Sequence, residues 1–202
     1  VLGDGVVGEM SQSKLSHAEL CLRALRWLRG TRRCHPVFGD VASCEEIPDA
    51  IGWTSCFRWR GSTVVECKTS VSDFYADKMK VVGFEHPTDG DYQLRGRLGR
   101  RTARELGYRE ITLPRMGDFR FYMSEPGVLT PKLIENHAPD HGLLHVVGRK
   151  ILIVREAIRR EIVDHQTEVR YLRFAIVNNK KPYELPKGAD MNANLLAISG
   201  AV

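Results

Sequence analysis

Glu66-Cys67-Lys68 closes an apolar run, Ser62-Thr63-Val64-Val65, so a carboxylate and an ammonium stand two residues apart where a buried strand would carry neither. The side-chain period of a strand puts Val64, Glu66 and Lys68 on one face and Thr63, Val65 and Cys67 on the other. Upstream, Ile47-Pro48-Asp49-Ala50-Ile51 holds another carboxylate in a second strand-like run, with Ile47, Asp49, Ile51 and Trp53 sharing a face. Ionised groups in such surroundings are costly unless they are paired, hydrated or bound to a metal. Two carboxylates brought together from neighbouring strands offer the oxygen ligands that Mg²⁺ requires. A lysine on the same face can pair with such a carboxylate or orient a water. A bound metal is therefore one explanation of their placement. The plain alternative is an ion pair on a solvated strand, with Asp49 capping a turn.

Several elements must position these residues. Leu15, Ala18, Leu22, Leu25 and Leu28 recur at three and four residues, which predicts an amphipathic helix stopped by Gly30. Ser16 and Glu19 have the form of a capping box, but Glu19 also borders the apolar stripe, so it reads equally as a cap or as an acid facing a cleft. Residues 47–53 and 62–68, joined by a turn over 57–61, predict adjacent antiparallel strands. Polar caps around Ser70 to Asp73, followed by Phe74, Tyr75, Met79 and Val82, predict a second helix whose other face shows Asp77, Lys78 and Lys80. Residues 83–99 are rich in Gly, Asp and Pro and read as a long surface loop. Residues 119–123 read as a strand ended by Glu125-Pro126-Gly127, the stretch through Pro131 and Pro139 as a connection, and residues 142–154 as a hairpin around Gly148. Residues 155–169 look helical, with Ala157, Ile158, Ile162 and Val163 inward, while 171–177 reads as helix or strand. This order predicts an α/β domain over residues 1–177, a mixed central sheet flanked by helices, and a C-terminal extension over 178–202 that docks on this chain or on a partner.

Pro48-Asp49, then Glu66-Cys67-Lys68 after a turn, with Glu19 on a preceding helix, resembles the PD-(D/E)xK nuclease superfamily. The resemblance implies a restriction-endonuclease-like core. It also implies a site in which Asp49, Glu66 and the backbone carbonyl of Cys67 ligate Mg²⁺, or Mn²⁺ in its place. Lys68 would assist the attacking water, and Glu19 would be the acid of the first helix, with Glu46 an alternative third acid. A further likeness runs through Val64-Val65-Glu66-Cys67-Lys68-Thr69-Ser70, Ser72-Asp73-Phe74 and Ala76-Asp77-Lys78. These residues are similar to a group of small phage and bacterial DNA-processing proteins within that superfamily. Their later strand with a Pro-Gly turn, and their Gly-Leu-Leu strand, are matched by residues 121–127 and by Gly142-Leu143-Leu144. The likeness spans about residues 16–157 and departs from some branches in having no glutamine after Lys68. It implies a metal-dependent DNA endonuclease or resolvase-like enzyme. The other reading is a non-cleaving nuclease-fold protein for DNA binding or phage virion assembly.

The balance of 30 Lys and Arg against 25 Asp and Glu, a net charge of +5 over 202 residues, suits a polyanionic partner such as DNA. Arg95, Arg97, Arg100, Arg101 and Arg104, with Arg109 beyond them and Lys78 and Lys80 before, form the densest positive cluster. It reads as phosphate contacts or as a solvated basic face with equal weight. Five cysteines without a Cys-x-x-Cys pair argue against a zinc knuckle or a disulfide framework, and suggest reduced thiols in a cytoplasmic protein; the resemblance to phage proteins implies a host cytoplasm or a virion. No apolar run is long enough to cross a bilayer, and the first ten residues lack the pattern of a signal peptide. A homodimer or a phage assembly completes the expected partners. His137, His141 and His145 are spaced as zinc ligands on a helix would be, but Pro139 and Gly142 break it, so they read first as loop or strand histidines and second as metal ligands. Trp59, between Arg58 and Arg60, reads as a turn residue or as a surface for stacking bases.

Overall fold

A computed structural model describes residues 14–39, 46–78, 82–85, 92–94, 100–112 and 115–186. Helix α1, His17–Gly30, begins at a capping box in which Ser16 Oγ accepts from the Glu19 N–H at 3.3 Å and Glu19 Oε2 accepts from the Ser16 N–H at 2.8 Å. Its buried side is Leu20, Ala24, Trp27 and Leu28, not the stripe through Ala18 and Leu22, both of which are exposed. Trp27 decides this rotation, since its large apolar ring packs edge-on against Phe121 with centroids 5.1 Å apart.

Strands β1 (Val37–Phe38), β2 (Ala50–Thr54) and β3 (Gly61–Cys67) pair antiparallel in sequence, with Ala50 opposite Val65. A short 3₁₀ turn, Phe57–Trp59, joins the last two. Pro48 offers no N–H to a ladder, so β2 starts two residues later and Asp49 sits just outside it. Helix α2, Val71–Lys78, follows, its first turn tied by the Ser70 hydroxyl accepting from the Asp73 N–H.

The expected loop over 83–99 contains strands instead. Strands β4 (Val82–Glu85), β5 (Tyr92–Leu94) and β6 (Arg109–Thr112) form a separate antiparallel sheet in the order β5-β4-β6, with α3 (Arg100–Glu105) between the last two in sequence. Runs of three and four residues are too short to show alternation among so many turn formers.

Strand β7 (Phe119–Ser124) lies parallel to β3 on one side and to β8 (Gly142–Val147) on the other. The connection between them contains helix α4, Pro131–His137, where no helix was expected; Thr130 caps it and Pro131 fills the first turn, where a missing N–H costs nothing. Strand β9 (Lys150–Arg155) completes the predicted hairpin across Gly148, whose φ of 56° suits glycine. Helix α5 is His165–Val177, ten residues later than the sequence suggests, because Asp164 accepts from the Thr167 N–H and starts it there. Ile158 and Ile162, expected inward, are exposed.

The main sheet therefore runs β1-β2-β3-β7-β8-β9, mixed in direction. Its α1 face is packed by Trp27, Val65, Cys67, Phe121 and Met123. The opposite face is covered in two parts, by α5 on Ile51, Val64 and Met116, and by Phe74 of α2 and Ile134 of α4 on Tyr122 and Leu143. The expected α/β class, with a mixed central sheet flanked by helices, is what the chain adopts. Beyond α5, the Tyr183 N–H donates to the Val37 carbonyl at 2.7 Å and its ring packs on the α1 side, so the start of the extension docks on this chain. Among the described residues no helix is long and apolar enough to cross a membrane.

Candidate functional site

Glu66, near the end of β3, and Lys68, just beyond it, lie on the face opposite α1 and are 4% and 3% exposed. They do not stand on a solvated strand. The Lys68 ammonium lies 3.9 Å from Glu66 Oε2 and 3.7 Å from Asp77 Oδ1. Asp77, expected on the outer face of its helix, is 1% exposed and also accepts from the Tyr122 hydroxyl at 3.2 Å. The inward turn of α2 follows from Phe74, which enters the core three residues earlier and carries Asp77 with it.

Two arginines complete this layer. Arg120, fully buried on β7, reaches Glu66 Oε1 at 3.0 Å and Glu46 Oε1 at 2.7 Å. Arg115 meets Glu46 at 2.7 Å, Asp77 at 3.2 Å and Glu66 at 3.6 Å. Glu46, the alternative third acid, thus joins the network through the arginines and also accepts from the Met116 N–H. Three carboxylates, Glu46, Glu66 and Asp77, face three cations, Lys68, Arg115 and Arg120, so the cluster is neutral as a set when all three acids are ionised. Nothing in the sequence separates Arg115 and Arg120 from the many other arginines, because only the parallel pairing of β3 with β7 brings Arg120 beside Glu66.

The cations are shared unevenly. Burial raises the Glu66 carboxyl to about 7, with Arg120 and Arg115 opposing and the charges of Asp77 and Asp49 adding to the rise. Burial acts the same way on Asp77, but Arg115 and Lys68 outweigh it and hold the group below its ordinary range. Glu46 is likewise lowered, Arg120 and Arg115 prevailing over burial. Glu66 is therefore the acid of the three that most readily exists in either protonation state.

Asp49 approaches from the end of β2. Its Oδ2 accepts from the Cys67 N–H at 2.7 Å and lies 3.4 Å from His17 Nε2. Its charge acts on Glu66, so both predicted acids flank Cys67, whose side chain packs in the α1 core. Asp49 Oδ1 has no hydrogen bond among the described residues, and Glu66 Oε2 has only the loose approach of Lys68. Those two oxygens are carboxylate donors of the type that Mg²⁺ takes. Glu19 is exposed, with both hydrogen bonds of its carboxylate going to Ser16, which also lowers its pKa.

The expected phosphate-binding residues are placed in part. Arg101 and Arg104 are exposed on α3, with Arg101 paired to Glu105 at 2.8 Å, and Arg100 begins that helix. Lys78 ends α2. Lys80, Arg95 and Arg97 lie outside the described residues. Trp59 is occupied within the chain: the guanidinium of Arg32 lies 4.6 Å over its ring and that of Arg58 5.0 Å. The three histidines are used separately. His137 meets the Tyr75 hydroxyl, His145 the Leu129 carbonyl, and His141 pairs with Asp140 and stacks on Tyr122 at 5.0 Å.

No family model matches the chain, and no curated protein does. Among solved structures, a protein of unknown function from Silicibacter pomeroyi is similar at 18% identity and a TM-score of 0.45, over 82% of this chain and 88% of that one.

Proposed function

We propose that this chain is a metal-dependent DNA endonuclease with a restriction-endonuclease-like core, whose centre is Asp49, Glu66 and Lys68. The observation that supports this reading most is the convergence on Cys67. Asp49 binds its N–H, while Glu66 and Lys68 project on either side of it from one strand face. When bound, Mg²⁺ or Mn²⁺ would supply a water of lowered pKa and neutralise charge on a phosphoryl oxygen. Asp49 Oδ1, Glu66 Oε2 and the Cys67 carbonyl would hold it. Lys68 would donate to the attacking water or to the developing oxyanion, and its low exposure makes that charge count for more than it would in solvent. Arg115, whose side chain is 11% exposed, lies at the outer side of the network and would turn from its carboxylates to a phosphodiester. Arg101 and Arg104, with Lys78, would hold the flanking backbone.

The test is cleavage of supercoiled, linear and branched DNA with Mg²⁺, Mn²⁺ or chelator. Glu66→Gln and Lys68→Met should each lower metal-dependent cleavage by at least about 10²-fold while the protein stays folded. Wild-type activity in both variants would remove the mechanism.

The neutrality of the buried cluster favours a second reading. Three acids already matched by three cations gain less from a dication than an acid-rich site would, as in a nuclease fold kept for DNA binding or assembly. On that reading the purified chain binds DNA in a salt-dependent manner and shows no turnover with any metal.

A further inference from the structure

At the start of α1, a second group of ligand atoms meets Asp49 from the other side. His17 and Cys21, one helical turn apart, project together. With Asp49 they present one nitrogen, one sulfur and one oxygen, all within 4.8 Å of one another. His17 Nε2 lies 3.4 Å from Asp49 Oδ2 and 3.9 Å from Cys21 Sγ. A tetrahedral centre with ordinary zinc bond lengths has N···O edges of about 3.3 Å and N···S edges of about 3.6 Å. The Asp49 oxygen is already close to its edge, whereas Cys21 Sγ, 3.5 Å from Nδ1 and 3.9 Å from Nε2, comes into place by rotation of the exposed His17 ring or of its own side chain.

We infer that His17, Cys21 and Asp49 bind one Zn²⁺ ion, with water in the fourth position. The donor set decides the metal: imidazole and thiolate suit a borderline cation, whereas Mg²⁺ takes oxygen. The Cys67 N–H, hydrogen-bonded to Asp49 at 2.7 Å, orients the carboxylate in the way an outer partner orients a metal ligand. The side chain of His17 is 51% exposed and that of Asp49 20%, which leaves an entry path. A cation at a helix N-terminus opposes the helix dipole, and two anionic ligands offset that cost. The Cys67 thiol, close enough to interact with Cys21, stays on the core side of the site. This inference does not depend on nuclease activity, although Asp49 serves both sites, by Oδ2 here and by Oδ1 in the proposed Mg²⁺ site.

The experiment uses the full chain, stripped by chelator under reducing conditions and titrated with Zn²⁺ against a chromophoric competitor, and in parallel with Co²⁺ as a spectroscopic probe. One ion per chain is expected, with a thiolate-to-Co²⁺ charge-transfer band and a rise in Tm on Zn²⁺ binding. His17→Gln and Cys21→Ser should weaken binding at least about 10-fold, and Cys21→Ser should abolish the band. Cys56→Ser should change neither. Glu66→Gln should retain the zinc site, so loss of cleavage in that variant is separable from loss of zinc. Absence of stoichiometric binding, or equal affinity in the His17 and Cys21 variants when their circular dichroism matches wild type, would overturn the assignment.

Discussion

Burial gives Glu66 its character. A carboxyl at about 7 beside Arg120 and Arg115 can release its proton when a cation arrives, so on the proposed nuclease function cleavage should rise as pH passes through 7. His141 carries the opposite lesson for stability. Burial drives its imidazole down to about 4, against the pull of Asp140, and the charges of Arg120 and Arg115 work in the same direction as burial. The unfolded chain binds its proton near pH 6.5 and the folded chain does not, so the contribution is complete above 6.5 and is lost as pH falls toward 4. Urea denaturation across that window should show stability falling with acidification, and His141→Gln should flatten the profile by up to about 3 kcal/mol. An identical slope in the variant would mean that another group titrates. The test of the centre itself calls for Glu66→Gln, not Glu66→Ala, because alanine would take from the buried Arg120 one of its two carboxylate partners and leave a void.

At the scale of elements, caps and close approaches place the side chains. Ser16 and Glu19 close α1 reciprocally, so Ser16→Ala should cost about 1 kcal/mol. On the proposed nuclease function, Glu19→Gln should leave DNA cleavage unchanged, with lower cleavage showing that the acid serves the centre as well as the cap. Gly142 opens β8 where a Cβ would stand against the Phe121 ring and the Ala157 N–H. Gly142→Ala should therefore lower stability by about 1–3 kcal/mol, read as a shift in denaturation midpoint, since neither the ring nor the backbone beside it can withdraw without repacking the α1 face. The strand ends holding Asp49 and Glu66 depend on such packing, because a strand displaced by one residue would turn Glu66 into the α1 core.

Across the whole molecule, the buried network joins the segment before β2, strand β3, helix α2 and strand β7 through Glu46, Glu66, Asp77 and Arg120. Arg120→Met should cost about 3–5 kcal/mol, because it removes one cation partner from each of two buried carboxylates, Glu46 and Glu66. Combining it with Glu66→Gln should recover part of that loss, and additive costs would show that the two side chains do not act together.

The sequence by itself determined the residues that demand explanation, Asp49, Glu66 and Lys68, together with the capping box, the order of the strands from β2 to β3 and the β8–β9 hairpin. Each of these is written in neighbouring residues, through caps, period-two alternation and turn formers. The separate sheet of β4, β5 and β6 was hidden because its strands are too short to alternate visibly among glycines and prolines. Helix α4 was hidden inside a proline-bearing connection, although Thr130-Pro131 signals its start. Only the tertiary structure decided what surrounds Glu66-Cys67-Lys68. Arg120 reaches it because β7 lies parallel to β3, Asp77 because Phe74 rolls its helix inward, and His17 with Cys21 because α1 begins beside Asp49. Such meetings depend on the register and rotation of elements distant in sequence, which packing of the whole core sets and no local pattern encodes.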